Sequence, residues 1–145
     1  MVKIRAATRS DIPAIESLLS TSRLPPEGVL GHIDTFLVAE YKGAVTGVGG
    51  FENCGEGIGL LRSFAVSPAW RNQGVAKRLY EQLTRLARLT GVSRLYLLTV
   101  TAQTYFSKLG FARIERSRAP EVIQKTQQFS ELCPDSSVLM VLSLV

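Results

Sequence analysis

Residues 58–100 place the tightest constraint on how this chain can fold. "IGLLRSFAV" (58–66) is an apolar run of strand length. "SRLYLLTV" (93–100) is a second, continuous enough for a strand buried on both faces. Between them Val75, Leu79, Leu83, Leu86 and Leu89 recur at helical spacing over roughly 72–90, and Gly91 ends the segment. Strand, helix, strand predicts a crossover within one sheet, with helices on its faces.

The remaining segments fit around that unit. "VKIRAA" (2–7) alternates as a first strand. "RSDIPAIESLLST" (9–21) reads as a helix, with Ser10 as N-cap, Pro13 in the first turn and an Ile12, Ile15, Leu18, Leu19 stripe. Prolines and glycines make 22–34 a loop with room for one short helix. "TFLVAEY" (35–41) and "AVTGVGGFE" (44–52) flank Lys42-Gly43 as a hairpin, and "NCGEG" (53–57) turns the chain into 58–66. Later come a short helix (102–109) stopped by Gly110, a strand (111–116), a partly helical segment (120–132) and a closing strand (136–144). The predicted order is β-α-loop-β-β-β-α-β-α-β-(α)-β. The expected fold class is α/β (α+β), with a mixed central sheet and one domain over 1–145.

Composition narrows the function classes. Hydrophobic residues make up 46% of the 145 and charged residues 20%, which fits a packed domain rather than a disordered chain. No apolar run approaches the ~20 residues of a membrane span, and the N-terminus lacks a secretory apolar core. A cytoplasmic protein with no membrane partner is the expectation. Cys54, Cys133 and His32 are too few for the about four ligands of a zinc site, so no metal is expected. The net charge of +5 suits an anionic partner. Basic residues gather at Arg71, Lys77, Arg78, Arg85, Arg88 and Arg94. No aromatic is interleaved with them for base stacking, and no nucleic-acid partner is expected.

"VSPAWRNQGVAKRL" (66–79) carries the clearest chemistry. A strand ends at Phe64, Ala65 and Val66, Pro68 breaks the ladder, and Arg71-Asn72-Gln73-Gly74-Val75-Ala76 leads into the helix. A helix N-terminus offers unpaired N–H groups and a positive dipole end, which favour an anion. Gly74 and Ala76 keep that approach free of large side chains, while Arg71 and Lys77 add charge at its rim. The spacing is R-x-x-G-x-A, neither a P-loop nor a GxGxxG fingerprint. A phosphate cradle and a plain helix start both remain open on this stretch alone.

Together with "YFSKLGF" (105–111), this stretch resembles the GNAT family of N-acetyltransferases, whose acetyl-coenzyme A motif and second recurring block the two segments match in order. The element order matches over essentially the whole chain. The resemblance implies an acetyl-coenzyme A-dependent N-acetyltransferase acting on a small amine, with a homodimer left open. It implies that the amides of Arg71, Asn72, Gln73, Gly74, Val75 and Ala76 bind the pyrophosphate. It further implies that the backbone of Phe64, Ala65 and Val66 pairs with the pantetheine arm as strand 64–66 splays from 95–99, and that the helix from Gln103 to Phe106 borders the thioester. Within the family, 95–111 and 119–140 resemble the acetyltransferase domain of N-acetylglutamate synthases. The C-terminal F-x-x-LCP-x-S pattern is similar to small acetyltransferases of arsenic-resistance operons. Both imply an amino-acid-like acceptor, and the second implies a detoxifying role. Phe106 stands where many members carry a proton-donating Tyr, with Tyr105 just before it.

Acetyl transfer needs a neutral amine, hence a base or water chain to take its proton. Glu52, at a strand end, is the candidate base, with a solvated carboxylate as the alternative. Tyr105 is the candidate acid or a packing residue. Arg62 lies in an apolar strand, where it either pairs with Glu52 or grips an acidic substrate, and substrate binding is the reading taken forward. Thr99 and Thr101 are candidate acceptor contacts. Arg23, Arg116 and Lys125 are further anion-binding candidates, with surface solvation as the alternative. A non-catalytic coenzyme A-binding or sensing module is the rival function.

Overall fold

The computed structural model describes all 145 residues. Its elements are β1 (Lys3–Ala6), α1 (Ile12–Thr21), β2 (Phe36–Tyr41), β3 (Ala44–Gly55), β4 (Ile58–Val66), α2 (Val75–Leu89), β5 (Arg94–Thr99), α3 (Gln103–Lys108), β6 (Ala112–Ile114), α4 (Glu121–Gln124) and β7 (Val138–Ser143). The seven strands form one sheet in the order β1-β2-β3-β4-β5-β7-β6. Every neighbouring pair is antiparallel except β4 and β5, which are parallel and joined through α2. No helix is long and apolar enough to cross a membrane.

The β2–β3 hairpin turns on Lys42 (φ 48°) and Gly43 (φ 83°), two successive left-handed residues whose twist matches that of the strands. The segment 9–21 divides into a 3-10 turn (Arg9–Asp11) and α1. Its cap is Thr8 rather than Ser10, because the Asp11 carboxylate accepts from the Thr8 amide at 2.8 Å and closes a capping box.

α2 packs directly on β3. A Cβ at Gly47 would stand 2.9 Å from Leu79 Cδ1, and one at Gly50 would run into the Phe36 ring. The glycines of "TGVGG" therefore serve close packing within the sheet. The buried stripe of α2 is Val75, Leu79, Leu83, Thr84 and Ala87. Leu89 falls outside it, at 77% exposure, because the helical repeat carries it around to solvent. Half of the basic cluster is bound to main chain: Arg71, Arg78 and Arg88 donate to the carbonyls of Val66, Val2 and Leu144.

Arg5 ties β1 to α1 and β2. It donates from both terminal nitrogens to the buried Asp11 carboxylate at 2.7 and 2.8 Å, and from Nε to Glu40 at 2.8 Å. Hydrogen bonds from the Arg5 guanidinium hold the Asp11 carboxyl down at about 2. The folded value lies below the ordinary 3.8, so this stabilisation is complete above the ordinary value and is lost as pH falls through the folded one. Asp11→Asn is expected to cost about 1–3 kcal/mol at neutral pH. The gap between parent and variant urea midpoints should close between about pH 4 and about pH 2. A gap that stays constant over that range would remove Asp11 ionisation from the stability of the fold.

Candidate active site

β4 and β5 pair only at Ile58–Arg94, Gly59–Leu95 and Leu60–Tyr96, and part beyond Leu60. The register of β4 against β3 changes at the same place. Gly50 faces Arg62 but Val48 faces Ala65, so β4 holds one more residue across this step, a bulge that bends the strand. Ser63 lies within it at φ 58°, in the left-handed region. β5 meanwhile stays in register with β7 up to Thr99–Val138. One strand bends away while its neighbour is held by the other side of the sheet.

A cavity of about 800 Å³ fills the opening. β4 lines it from Leu61 to Val66, and Leu97 to Ala102 form the opposite wall, with Phe106 behind. Segments 22–25 and 132–134, with Ser137, complete the lining. The charged side chains on its lining are Arg23, Arg62 and Arg71; no Asp, Glu, His or Tyr lines it.

Phe64, Ala65, Val66 and Arg71 all border the cavity. Arg71 Nε donates to the Val66 carbonyl at 3.0 Å and its amide to the Pro68 carbonyl at 3.4 Å, so both are engaged. The amides of Asn72, Gln73, Gly74, Val75, Ala76 and Lys77 form no hydrogen bond within the chain. Asn72 (φ 62°) and Gly74 (φ 81°) turn the backbone into α2. A Cβ on Gly74 would meet nothing within 4 Å, whereas the Val75 side chain is buried in the core. The α2 N-terminus thus presents a row of bare N–H groups with open space beside it.

Arg62 and Glu52 form a buried ion pair, Nη1 to Oε2 at 2.9 Å, with the arginine side chain 2% exposed. The other nitrogens of Arg62 donate to Ser63 Oγ at 2.9 Å and to the Glu27 carbonyl. His32 Nε2 stands 3.4 Å from the other Glu52 oxygen. Of the two alternatives for Arg62, pairing with Glu52 is the one the structure shows, because a buried guanidinium needs its charge balanced within the chain, and Arg62 still borders the cavity. Glu52, expected as a base, is its counter-ion and lies off the cavity lining.

Three other candidates lie elsewhere. Tyr105 is 40% exposed, off the cavity, with its ring edge-on to Phe106 and its phenol pushed up by desolvation. One helical step separates it from Phe106, which takes the inward position. Gln103 is off the lining too. Arg116 stacks on Phe129 at 4.3 Å and donates to the Ser137 carbonyl, which makes it a brace between 116–118 and the C-terminal segment. Thr99 lines the cavity while its Oγ1 accepts from the Ala102 amide, and Thr101 lines it beside Thr99. Lys125 pairs with Glu121 on the surface. Arg23, one of several surface candidates in the sequence, lines the cavity, as do Cys133 and Ser137. Burial pushes the Cys133 thiol up.

The model of the acetyltransferase (GNAT) family matches residues 9–111. The chain belongs to this family. As a GNAT chain it is 31% identical over 97 residues to an uncharacterized N-acetyltransferase of Chlorobaculum tepidum, covering 67% of this chain and 62% of that protein. It is 30% identical over 134 residues to the amino-acid acetyltransferase of Neisseria meningitidis, covering 86% of this chain and 30% of the relative. The GNAT chain thus spans less than two thirds of the length of either relative. N-acetylglutamate synthase from Neisseria gonorrhoeae, complexed with coenzyme A and N-acetyl-glutamate, superposes with a TM-score of 0.85 at 27% identity, over 100% of this chain and 35% of that one. A Mycobacterium tuberculosis protein complexed with coenzyme A superposes at 0.82 with 25% identity over 99% of both chains.

Arg62→Met leaves Glu52 buried without its counter-ion and is expected to cost about 3–5 kcal/mol. Adding Glu52→Gln should return part of that loss, since the orphaned charge goes with it. Thermal melts of the two single variants and the double variant measure the coupling, and strictly additive losses would contradict it.

Proposed function

We propose that this chain transfers the acetyl group of acetyl-coenzyme A to the amine of a small, amino-acid-like acceptor by direct attack. The observation that carries this reading is the parting of β4 and β5 into one cavity that reaches Val66 and Arg71, next to the bare amides of α2. The GNAT neighbours solved with coenzyme A support the same assignment of donor.

The donor fits the residues present. The amides of Asn72 to Ala76 would hold the pyrophosphate, with open space at Gly74 to admit it. The exposed backbone edge of Phe64 and Ala65 would pair with the pantetheine arm; the Val66 carbonyl is already taken by Arg71. Phe106 would border the thioester, with Thr99 and Thr101 on the acceptor side. In the reaction the amine nitrogen bonds to the acetyl carbon, the carbon–sulfur bond breaks, coenzyme A leaves with the sulfur electron pair, and one proton leaves the nitrogen. Amides near the β4 bulge would meet the developing oxyanion.

No side chain on the lining can serve as base near neutrality, since the Cys133 thiol is pushed up by burial. The proton therefore leaves through water, and the amine must arrive in its free form. The same observation favours a second reading, a coenzyme A-binding module without turnover. Incubation with acetyl-coenzyme A and a panel of amines, followed by thiol release, separates the two: release supports transfer, and tight binding with no release across the panel supports the module.

Two outcomes are expected of the transferase. Gly74→Trp fills the open space beside the amides and should weaken coenzyme A binding by more than about tenfold in calorimetry; unchanged affinity would remove the cradle assignment. In addition, log kcat/KM should climb with unit slope up to the pKa of the acceptor amine itself and move when that amine is changed. A profile fixed across different amines would reveal a base on the protein.

A further inference from the structure

The segment "YFSKLGF" (105–111) is built to hold one ring in place. α3 ends in a Schellman motif: the Phe111 amide donates to the Phe106 carbonyl and the Gly110 amide to the Ser107 carbonyl, each at 3.1 Å, with Gly110 at a φ of 105°. This helix stop folds the residue after the glycine back onto the last turn. The rings of Phe111 and Phe106 accordingly meet edge to face at 5.6 Å. Phe106 is thus fixed through its carbonyl and its ring together, and it is the ring that α3 presents to the cavity.

From β4, just past the bulge, Phe64 meets Phe106 edge to face at 6.3 Å. A Cβ on Gly49 would stand 2.8 Å from Phe64 Cδ2 and 3.3 Å from Leu83 Cδ2, so the Phe64 ring lies over Gly49 with α2 close beside it. Leu61, Phe64, Leu97, Ala102 and Phe106 line the cavity and belong to, or pack against, one core cluster that includes Leu83 and Ala87 of α2. None of the five carries a polar side chain. This part of the lining is therefore both apolar and backed by packed core, with no slack to give.

We propose that Phe64 and Phe106 gauge the acyl group of the donor: acetyl fits in front of the two rings, and each further methylene is penalised. The gauge rests on the acetyl-transfer reading for the placing of the thioester beside Phe106. Every acyl-coenzyme A offers the same pyrophosphate to the amides of α2, so donors can be told apart only at the acyl end. There the chain is the apolar substituent of the thioester, and it gains most against the apolar part of the lining. A longer chain has to push into close-packed rings, and overpacking of that kind is unfavourable. The anchored turn at Gly110 keeps Phe106 from retreating to admit it.

The test is calorimetric titration of the parent, Phe106→Leu and Phe106→Ala with two unreactive thioethers, S-ethyl- and S-butyl-coenzyme A. The parent is expected to bind the ethyl thioether about tenfold or more tightly than the butyl. The ratio should shrink in Phe106→Leu and reach unity or invert in Phe106→Ala, where the missing ring leaves room for the chain. Melting gives an independent signature. Phe106→Ala opens a void in the core cluster and lowers Tm, and the butyl thioether should restore more of that loss than the ethyl, the reverse of the order in the parent. Phe106→Leu keeps apolar volume at the site and carries the test where the alanine variant melts too low to titrate. Equal affinity of the parent for both thioethers, a ratio unchanged in both variants, or binding of neither thioether would overturn the gauge. Thiol release from acetyl- and butyryl-coenzyme A with a common amine separates it from the transfer reading. Equal release from both donors sinks the gauge and leaves transfer standing; a chain-length ratio in binding with no release from either sinks transfer and leaves the gauge standing.

Discussion

The structure turns on where the hydrogen bonds of β4 stop. A strand in the middle of a sheet normally spends its backbone groups on both neighbours, because an unpaired buried N–H or C=O is unfavourable. β4 does so on the β5 side only as far as Leu60. Beyond that point the β3 ladder continues across a bulge, and β5 is kept in place by β7. The parted edges create a cavity in the middle of the sheet without interrupting the core on either side, since α2 and α1 still cover their own faces. The cost of the opening is local, and it is partly offset where Arg71 takes up the Val66 carbonyl.

The vertex of that opening holds the one buried ion pair of the site. Arg62 and Glu52 add little net stability by themselves, since desolvation offsets most of their attraction. Their effect is geometric. The arginine reaches Ser63 inside the bulge, Glu52 on β3 and Glu27 in the loop after α1, so three segments distant in sequence meet at one side chain. The bulge, the loop and the strand then cannot shift independently. His32 stands at the outer oxygen of Glu52, half-exposed, and extends the network toward the surface.

The fold was legible because its signals are periodic. The apolar runs of β4 and β5, the helical stripe between them and the Lys42-Gly43 turn each specify local structure, and they agree with one another. The turn into α2 was legible for a related reason. Asn72, Gly74 and the first amides of α2 are backbone features, so adjacent residues define them and a short motif can record them. Errors fell where side-chain direction or a distant partner decides. Ser10 yields to Thr8 because Asp11 reaches back across three residues. Leu89 drifts off the stripe. Tyr105 is carried off the cavity by one step of helix rotation, while Phe106 lines it. Arg116 looked like any other basic residue until Phe129 and Ser137 were placed beside it.

The rest of the cavity lining belongs to that second kind. It is assembled from the segment after α1, the vertex of β4 and the residues before β7, and no short motif spans them. Arg23 reads as a solvated charge and Ser137 as one of two serines leading into a strand; only the folded chain brings both to the lining of one cavity. The division has a physical consequence for how such a chain can change. The α2 N-terminus is built from main chain, and most substitutions leave its bare amides standing provided Gly74 and the bulge survive. A molecule entering the cavity beside it would instead meet side chains of two loops, 22–25 and 132–137, next to a fixed sheet. Substitutions in those loops would change what the cavity admits while β4, β5 and α2 stay in place, so on the proposed reading the acceptor can vary while the source of the acetyl group stays the same.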